Sequence, residues 1–205
     1  MPNAKVETIH VGMMQMNCYL VENPETQELF IVDPGAEGGK IIRAIGDRTP
    51  VAVLLTHGHF DHIGAADTLC SHYHIPLYVH EADAPKLRDP EKNVSAVFGE
   101  LVTAETLPTL LYDDQELTLC GLPVKVLRTP GHSVGSCCFL VGDDGCVFCG
   151  DTLFDGGYGR TDFEDGDFEA LRESLRALYH LTPRRVAYPG HGNRAWAGRD
   201  RAETP

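Results

Sequence analysis

The sequence lacks the long apolar segments found in membrane proteins. No stretch approaches the roughly 18 to 20 consecutive apolar residues that a membrane-spanning helix needs. The first five residues, Met1 to Lys5, also lack the apolar run of a signal peptide. From these two absences we expect a cytoplasmic protein that has no membrane partner.

Positive charge is scarce as well. The 205 residues include 17 Lys and Arg against 30 Asp and Glu, which gives a formal net charge of -13 at pH 7. Nucleic acids and anionic membranes are polyanions, and the proteins that bind them present clusters of Lys and Arg. The charge balance therefore argues against nucleic acid and against a membrane surface as partners.

The chain shows no disulfide framework, because its cysteines are odd in number and most lie in apolar, strand-like segments, as reduced and buried thiols do. Cys146 and Cys149 form a C-x-x-C pair. A zinc ribbon needs a second such pair, and a redox motif normally opens a helix after a strand. We therefore expect these two thiols to pack in the core. The seven cysteines are Cys18, Cys70, Cys120, Cys137, Cys138, Cys146 and Cys149.

What remains is the composition of an ordinary globular protein, with 42% hydrophobic and 23% charged residues. No repeat or linker divides the chain, and we expect one domain over residues 1–205. Hydrophobic periodicity predicts two β-rich halves, each closed by a helix, and hence an α/β fold, the αββα sandwich. The predicted strands are 9–16, 18–22, 28–32, 51–55, 76–79, 116–120, 124–129, 137–141, 146–149 and 186–188. The predicted helices are 40–45, 63–74 and one that Asp167 caps and Pro183 ends.

The clearest chemical motif follows the predicted buried strand 51–55. It reads Thr56-His57-Gly58-His59-Phe60-Asp61-His62 and offers four potential metal ligands within six residues. Three imidazoles and a carboxylate could hardly all be buried without a cation, since each would leave lone pairs or charge unsatisfied. If the segment were exposed, the same residues would form only a polar surface loop.

Three further potential ligands occupy similar places, where a predicted strand ends in a glycine-containing turn. They are His132 in Pro130-Gly131-His132-Ser133, Asp151 in Cys149-Gly150-Asp151-Thr152, and His191 in Pro189-Gly190-His191-Gly192. Glycine beside each ligand permits a tight turn that aims the side chain into a cleft at a sheet edge. We therefore expect these loops to converge on one site.

The ligand types suit zinc, iron or manganese, because calcium and magnesium prefer sites made mostly of oxygen donors. Five His and two Asp exceed what one four-coordinate ion uses. Two divalent ions that share a carboxylate would use all seven, and together they would lower the pKa of a water molecule enough to make hydroxide, a nucleophile, at neutral pH. Zinc is the first choice of metal, with iron or manganese as alternatives.

These motifs resemble the metallo-β-lactamase superfamily over nearly the whole chain, and within it the hydroxyacylglutathione hydrolases of the glyoxalase II type. The closer resemblance lies in Asn17-Cys18-Tyr19-Leu20, in Val32-Asp33-Pro34-Gly35 and in Asp151-Thr152-Leu153-Phe154 with Gly157 to Asp162. It implies the metallo-β-lactamase fold, with His57, His59 and His132 on one metal and Asp61, His62 and His191 on the other. Asp151 would bridge the two metals, and Asp33 would support the ligand loop without binding metal.

By the same resemblance the substrate is a small thioester such as S-lactoylglutathione, attacked by hydroxide held between the two metals. Asp61 could take part in moving the proton. Glyoxalase II carries an added C-terminal helical domain that supplies much of its glutathione pocket, whereas only residues 193–205 follow the last ligand here. We therefore expect the single-domain subgroup, in which glutathione recognition is open.

Arg160 is a candidate for binding a substrate carboxylate or for pairing with Asp162. Tyr158 is a candidate for lining the cleft or for packing on its own loop.

Two other functions stay open at this point. The stretch Gly157 to Phe163 also resembles persulfide dioxygenases, whose single iron needs only two His and one Asp, although the ending Pro189 to Gly192 looks more like that of a dinuclear hydrolase. The chain could instead be a metal-binding module without catalytic activity. All seven ligand positions are filled by the expected residue types, which weighs against the module.

Overall fold

The computed structural model of the chain describes residues 4–142, 145–181 and 185–197. The predicted helix end at Pro183 lies outside these ranges. Twelve strands and four α-helices are present within them, and the strands form two six-stranded sheets.

The first sheet comes from the N-terminal half of the chain, with its strands in sequence order from β1 to β6. The strand pairs β1–β2 and β2–β3 are antiparallel, and the pairs from β3 to β6 are parallel. The strands are β1 (Lys5–Val11), β2 (Met16–Glu22), β3 (Glu28–Val32), β4 (Thr49–Leu54), β5 (Leu77–His80) and β6 (Thr109–Leu111). The helices of this half are α1 (Gly38–Ile45), α2 (Phe60–Ile63) and α3 (Ala66–Tyr73).

The second sheet comes from the C-terminal half and runs in the order β12, β11, β10, β9, β8, β7. Only β10 and β11 pair in parallel, because α4 connects them across the sheet. The elements are β7 (Glu116–Leu119), β8 (Leu122–Arg128), β9 (Cys137–Val141), β10 (Cys146–Gly150), α4 (Phe168–Leu181), β11 (Arg185–Pro189) and β12 (Ala195–Ala197).

Three apolar clusters separate four layers. One lies between α1, α3 and the first sheet and includes Ile41 and Leu69. A second lies between the two sheets and includes Phe30 and Phe139, and the third lies between the second sheet and α4 and includes Leu175. This is the αββα sandwich, so the prediction of fold class is confirmed. That residues 1–205 form a single domain stays a prediction.

Several predicted element boundaries were wrong. Residues 9–16 do not form one strand, because β1 ends at Val11 and Met16 already begins β2. The predicted helix 63–74 corresponds to α3, which begins only at Ala66, and Ile63 is instead the last residue of α2. The short strands β6 and β12 were not predicted. Asp167 caps α4 as expected, since its Oδ1 accepts a hydrogen bond of 3.1 Å from the Ala170 N–H.

The cysteines are buried and unpaired, all seven of them, as the sequence predicted. Cys146 and Cys149 both lie in β10 and pack on opposite faces of the second sheet, Cys146 between the sheets and Cys149 against α4. Among the described residues no helix combines the length and the hydrophobicity needed to cross a membrane.

Candidate metal centre

All seven predicted ligands follow the C-terminal ends of strands. His57, His59, Asp61 and His62 come after β4, which ends at Leu54. The other three follow β8, β10 and β11, and are His132, Asp151 and His191. The two sheets meet at this edge, where the Cys137 N–H donates a hydrogen bond of 2.9 Å to the Thr56 carbonyl. The loops therefore converge as the sequence predicted.

Two glycines are required for this convergence. A Cβ at Gly190 would overlap the Asp151 carboxylate and lie 2.6 Å from Cε1 of His62. Gly150 has a φ of +47° and lies against the Thr56 side chain, where a side chain of its own would collide. Glycine at these two positions lets the loops carrying Asp151 and His191 approach the loop carrying His62.

The converged side chains form three overlapping groups, and within each group the potential ligand atoms lie within 4.8 Å of one another. The groups are His57, His59 and His132; His57, His62 and Asp151; and Asp61, His62 and His191. His57 and His62 each belong to two groups. All seven predicted ligands are thus in one place.

In the first group, a hydrogen bond to one ring nitrogen of His132 and of His57 leaves the other ring nitrogen of each facing the site. His132 Nδ1 donates to the Arg160 carbonyl at 2.8 Å, so its Nε2 carries the free lone pair and lies 2.9 Å from His59 Nδ1. On the other side of the site, the Thr56 hydroxyl donates to Asp33 Oδ2 at 2.7 Å and lies 3.1 Å from His57 Nδ1. Because the hydroxyl proton is engaged, the Thr56 oxygen accepts from His57 Nδ1–H, which leaves the His57 Nε2 lone pair free.

Asp33 occupies the position expected of a residue that supports the ligand loop. It is buried, and its Oδ1 accepts a hydrogen bond of 2.7 Å from the Thr56 N–H. Its Oδ2 lies 3.0 Å from His62 Nδ1. Asp33 thus contacts the far side of one histidine directly and of another through Thr56.

Asp151 lies between the first group and the third, and its two oxygens approach ligands of both. Its Oδ1 lies 3.4 Å from His62 Nε2, and its Oδ2 lies 3.5 Å from His132 Nε2 and 3.8 Å from His191 Nε2. His191 Nδ1 lies 3.3 Å from the Met14 carbonyl, and its Nε2 lies 3.1 Å from Asp61 Oδ2. If Nδ1 carries the proton, two acceptors face each other at 3.1 Å, and a shared cation would satisfy both.

The electrostatics of the site favour neutral imidazoles on one side and a positive charge on the other. Burial lowers the pKa of His57 well below its ordinary value and lowers the pKa of His59 to about 3, with the neighbouring His132 adding to the second shift. Burial alone would also lower the pKa of His62, but the carboxylates of Asp33, Asp61 and Asp151 outweigh it and raise that pKa. Neutral imidazole is the form that binds metal.

The donor set fits divalent metal ions. The buried atoms His57 Nε2, His62 Nε2 and Asp151 Oδ1 have no hydrogen-bond partner within the protein. Each unsatisfied buried polar atom costs about 1–3 kcal/mol. Imidazole nitrogens and carboxylate oxygens are donors typical of zinc and iron sites, and cations bound here would satisfy these atoms.

One residue that holds the site together was not found from the sequence. Asp83 is completely buried, and its Oδ2 accepts hydrogen bonds of 2.8 Å from the Gly58 N–H and from the Ser133 hydroxyl. Its Oδ1 accepts one of 2.7 Å from the Gly135 N–H. Asp83 therefore joins the loop of His57 and His59 to the loop of His132. It lies in the segment 81–107, where neither periodicity nor a motif marked it.

The loop of His191 is held in a similar way. The Tyr19 hydroxyl and the Asn17 Nδ2 both donate to the Pro189 carbonyl, at 2.6 Å and 3.0 Å. Asn17 Nδ2 also donates to the Gly192 carbonyl at 2.9 Å. Asn17 and Tyr19 contributed to the family resemblance, but no pattern in the sequence indicated what they contact.

The two candidate substrate residues differ in placement. Arg160 lines the cleft, but its guanidinium donates two hydrogen bonds to the Asp162 carboxylate, at 2.6 Å and 2.7 Å, and lies 4.2 Å from the Phe163 ring centre. The Tyr158 ring packs against Phe168, with ring centres 5.9 Å apart. A role for either residue in binding substrate stays a prediction.

An αββα sandwich with imidazoles and carboxylates gathered at the shared edge of its sheets is a metal-binding fold. A family model described as the metallo-beta-lactamase superfamily matches residues 11–191. The chain belongs to this superfamily, and the resemblance found in the sequence is confirmed.

The curated relatives include metallo-hydrolases. The chain is 40% identical over 186 residues to the "Probable metallo-hydrolase YqgX" of Bacillus subtilis, and the aligned region covers 89% of this chain and 87% of the relative. It is 33% identical over 205 residues to "Hydroxyacylglutathione hydrolase GloC" of Haemophilus influenzae, which covers 98% of this chain and 96% of the relative. Family and relatives support a metal-dependent hydrolase.

Two solved structures are similar over nearly the full length of both chains. The BLEG-1 B3 metallo-beta-lactamase superposes with a TM-score of 0.92 at 34% identity, covering 98% of each chain. The protein TTHA1623, solved in a di-iron-bound form, superposes with a TM-score of 0.85 at 35% identity, covering 97% of this chain and 98% of the other. Metal binding by a relative of this fold is consistent with the ligand cluster.

Proposed function

We propose that this protein is a dinuclear metal-dependent hydrolase that cleaves a small thioester, such as S-lactoylglutathione or a related acyl-thiol. The observation that carries the proposal is the position of Asp151. Its two carboxylate oxygens approach ligands of both sides, His62 through one oxygen and His132 and His191 through the other. A carboxylate so placed can be shared by two ions.

The proposed ligands of one ion are His57, His59 and His132, and those of the other are Asp61, His62 and His191. Divalent cations bound by these residues, zinc by preference and iron or manganese otherwise, would lower the pKa of a water molecule and polarise a substrate carbonyl. The contacts of Asp33 and Thr56 support this assignment, because they keep the His57 lone pair directed inward.

The chemistry of a thioester asks little more of the protein. The water oxygen bonds to the carbonyl carbon, the carbon–sulfur bond breaks, and the thiolate leaves with little need for protonation because its pKa is low. The proton released from water needs an acceptor. Asp61 is suited to that role, because its carboxylate lines the cleft beside His191 and is partly open to solvent.

Aromatic side chains form part of the wall of the cleft. Phe154 and Phe163 line it, and the Phe163 ring meets His59 edge to face at 5.5 Å. The hydroxyacylglutathione hydrolase named among the relatives supports a thioester as the class of substrate. Two of the five N–H donors of Arg160 bind Asp162, so a substrate carboxylate would share the guanidinium with Asp162.

Metal analysis joined to a thiol-release assay tests the proposal. Protein purified without chelator should hold close to two equivalents of zinc, iron or manganese and should release thiol from S-lactoylglutathione or a simpler thioester. Asp151→Ala is the matched variant, expected to lose both the second equivalent and the activity. Two retained ions with unchanged turnover in Asp151→Ala would contradict the assignment. Metal-replete protein that hydrolyses no thioester would favour a non-catalytic metal-binding module.

A persulfide dioxygenase is the second candidate. It is favoured by the stretch Gly157 to Phe163 and by the way this stretch contacts the site, through the Arg160 carbonyl on His132 and the Phe163 ring on His59. One tightly bound iron, with oxygen uptake on addition of glutathione persulfide, would establish this function in place of hydrolysis.

A further inference from the structure

An apolar cavity of about 290 Å³ adjoins the cleft of the metal centre. It lies between the β1–β2 turn and the segment around residues 98–102, and Val11, Met13, Met16 and Val102 line it. The cavity and the cleft share four lining residues, which are Met14, Phe60, Asp61 and Phe98. The cavity and the cleft are therefore immediate neighbours.

The rim of the cavity exposes large apolar side chains. Met13 is 93% exposed, Met14 41% and Phe98 45%, and the Phe98 ring packs on Phe60 with ring centres 5.2 Å apart. A cluster of exposed apolar side chains beside a site indicates contact with an apolar ligand. Methionine adds the ability to fit ligands of different shape, because its side chain is flexible and polarizable.

Acidic side chains line this cavity, and no Lys or Arg is among its lining residues. The two charged residues that line it, Asp61 and Glu100, are both acidic. The cation of the adjoining cleft, Arg160, is paired with Asp162 through two hydrogen bonds. With Asp61 assigned to a metal ion, Glu100 is the acidic side chain that would oppose a carboxylate on the bound chain, and Arg160 is already paired with Asp162.

Resting on the proposed function, we infer that the cavity binds an uncharged, apolar chain of the substrate, so that the preferred thioesters carry an alkyl or aryl group. The chain can belong to the acyl half or to the thiol half of the thioester. In either case the cavity selects against a substrate whose chain ends in a charged group. Phe98 and Glu100 determine this specificity.

Two substrate series measured by thiol release test the inference. In the first, the thiol is N-acetylcysteamine and the acyl group lengthens from acetyl to hexanoyl. In the second, the acyl group is acetyl and the thiol lengthens from ethanethiol to hexanethiol. In the series whose chain enters the cavity, kcat/KM should rise about fourfold for each of the first added methylenes, the gain expected from burying each one. The same chain carrying a terminal carboxylate, adipoyl in place of hexanoyl, should be at least about tenfold poorer.

Two variants with matched controls assign the effect to the cavity. Phe98→Ala should lower the ratio of kcat/KM for the long chain over the short one by about tenfold. Val97→Ala truncates an exposed apolar side chain of the same turn and should leave that ratio unchanged. Glu100→Lys should narrow the preference for hexanoyl over adipoyl by about fivefold, through the reversal of one charge near solvent. Glu25→Lys makes the same charge change at an exposed turn in another part of the fold and should leave that preference unchanged.

A readout independent of turnover completes the test. Ketone analogues, in which a methylene replaces the sulfur, should bind more tightly in calorimetry as the chain lengthens, and less so in Phe98→Ala. If thioesters are hydrolysed but neither series depends on chain length, the inference is wrong and the proposed function stands. If no thioester is hydrolysed, the proposed function is wrong and this inference fails with it.

Discussion

Asp83 offers a direct test of how the metal centre is held together. Its carboxylate accepts three hydrogen bonds, from the Gly58 N–H, the Gly135 N–H and the Ser133 hydroxyl, and all four residues lie in a tightly packed region. A Cβ at Gly135 would lie 2.7 Å from the Asp83 carboxylate, which shows how closely the chain approaches it. Asp83→Ala would leave the Gly58 and Gly135 N–H groups without a partner and the Ser133 hydroxyl with only Ser136 Oγ, 2.8 Å away.

The expected loss of stability follows from the number of donors. A buried donor without a partner costs about 1–3 kcal/mol, and water entering the space that the carboxylate vacates would offset part of the cost of the two N–H groups. We expect a net loss of about 3–5 kcal/mol. In urea unfolding of the metal-loaded protein this corresponds to a midpoint lowered by about 1–3 M. The urea midpoint of Asp83→Asn should lie between those of the wild type and Asp83→Ala, because the amide group of Asn would place a donor against one of the N–H groups.

The control is Asp47→Ala, at an exposed position in the turn after α1. Equal midpoints for Asp83→Ala and Asp47→Ala would refute the reasoning. A second measurement separates general stability from positioning. At urea concentrations where both variants are folded, Asp83→Ala should bind the first metal equivalent at least about tenfold more weakly than Asp47→Ala, because His59 and His132 lie on the two loops that Asp83 joins.

Three further predictions concern individual contacts of the centre. Asp151→Ala should lower kcat/KM by more than about 100-fold and reduce the bound metal toward one equivalent, measured by elemental analysis, while Asp155→Ala on the neighbouring exposed turn serves as the control. Tyr19→Phe removes the hydroxyl that donates to Pro189 and should lower the free energy of unfolding by about 1 kcal/mol in urea. An unchanged urea midpoint would show that the hydrogen bond contributes nothing. The pKa of His59 is lowered to about 3 in the folded state, against 6.5 ordinarily, so the unfolded chain binds this proton at a higher pH than the folded chain does. Metal-free protein should therefore lose stability through His59, by up to about 1.4 kcal/mol per pH unit, as the pH falls from 6.5 toward 3. Comparison of urea midpoints at pH 7 and pH 5 for the wild type and His59→Gln measures this, and an equal pH dependence of the two proteins would contradict it.

The cluster of potential metal ligands could be predicted from the sequence because most of its members are close together in the chain. The motif from Thr56 to His62 places four potential ligands in one loop, and they stay close together whatever fold the rest of the chain adopts. His132, Asp151 and His191 could be added because each follows a strand-like run and sits beside glycine. The four layers were predictable for a similar reason, since apolar periodicity is a property of neighbouring residues.

The remainder depends on contacts between residues that are far apart in the chain. Asp83 contacts Gly58 and Gly135 across separations of 25 and 52 residues, and nothing near this buried residue in the sequence distinguishes it from the aspartates of the surface. The division at residues 12–15, which turns one predicted strand into β1 and β2, also has a non-local cause. The Asn17 N–H donates to the Gly190 carbonyl at 2.7 Å and thus fixes the start of β2 against the His191 loop.

The same distinction explains why the reaction was easier to predict than the substrate. Ligands that activate water have few acceptable chemical types, so histidine and aspartate at strand ends identify them. The residues that we infer to select a substrate, Met14, Phe98 and Glu100, are of types found throughout proteins, and only the cavity that they share sets them apart. The β1–β2 turn supplies Met14, and the segment after the short helical turn Ala96–Phe98 supplies Glu100. Substitutions there should change which thioester is cleaved and leave the metal content at two equivalents, whereas substitutions at Asp33 or Asp83 should reduce metal binding for every substrate alike.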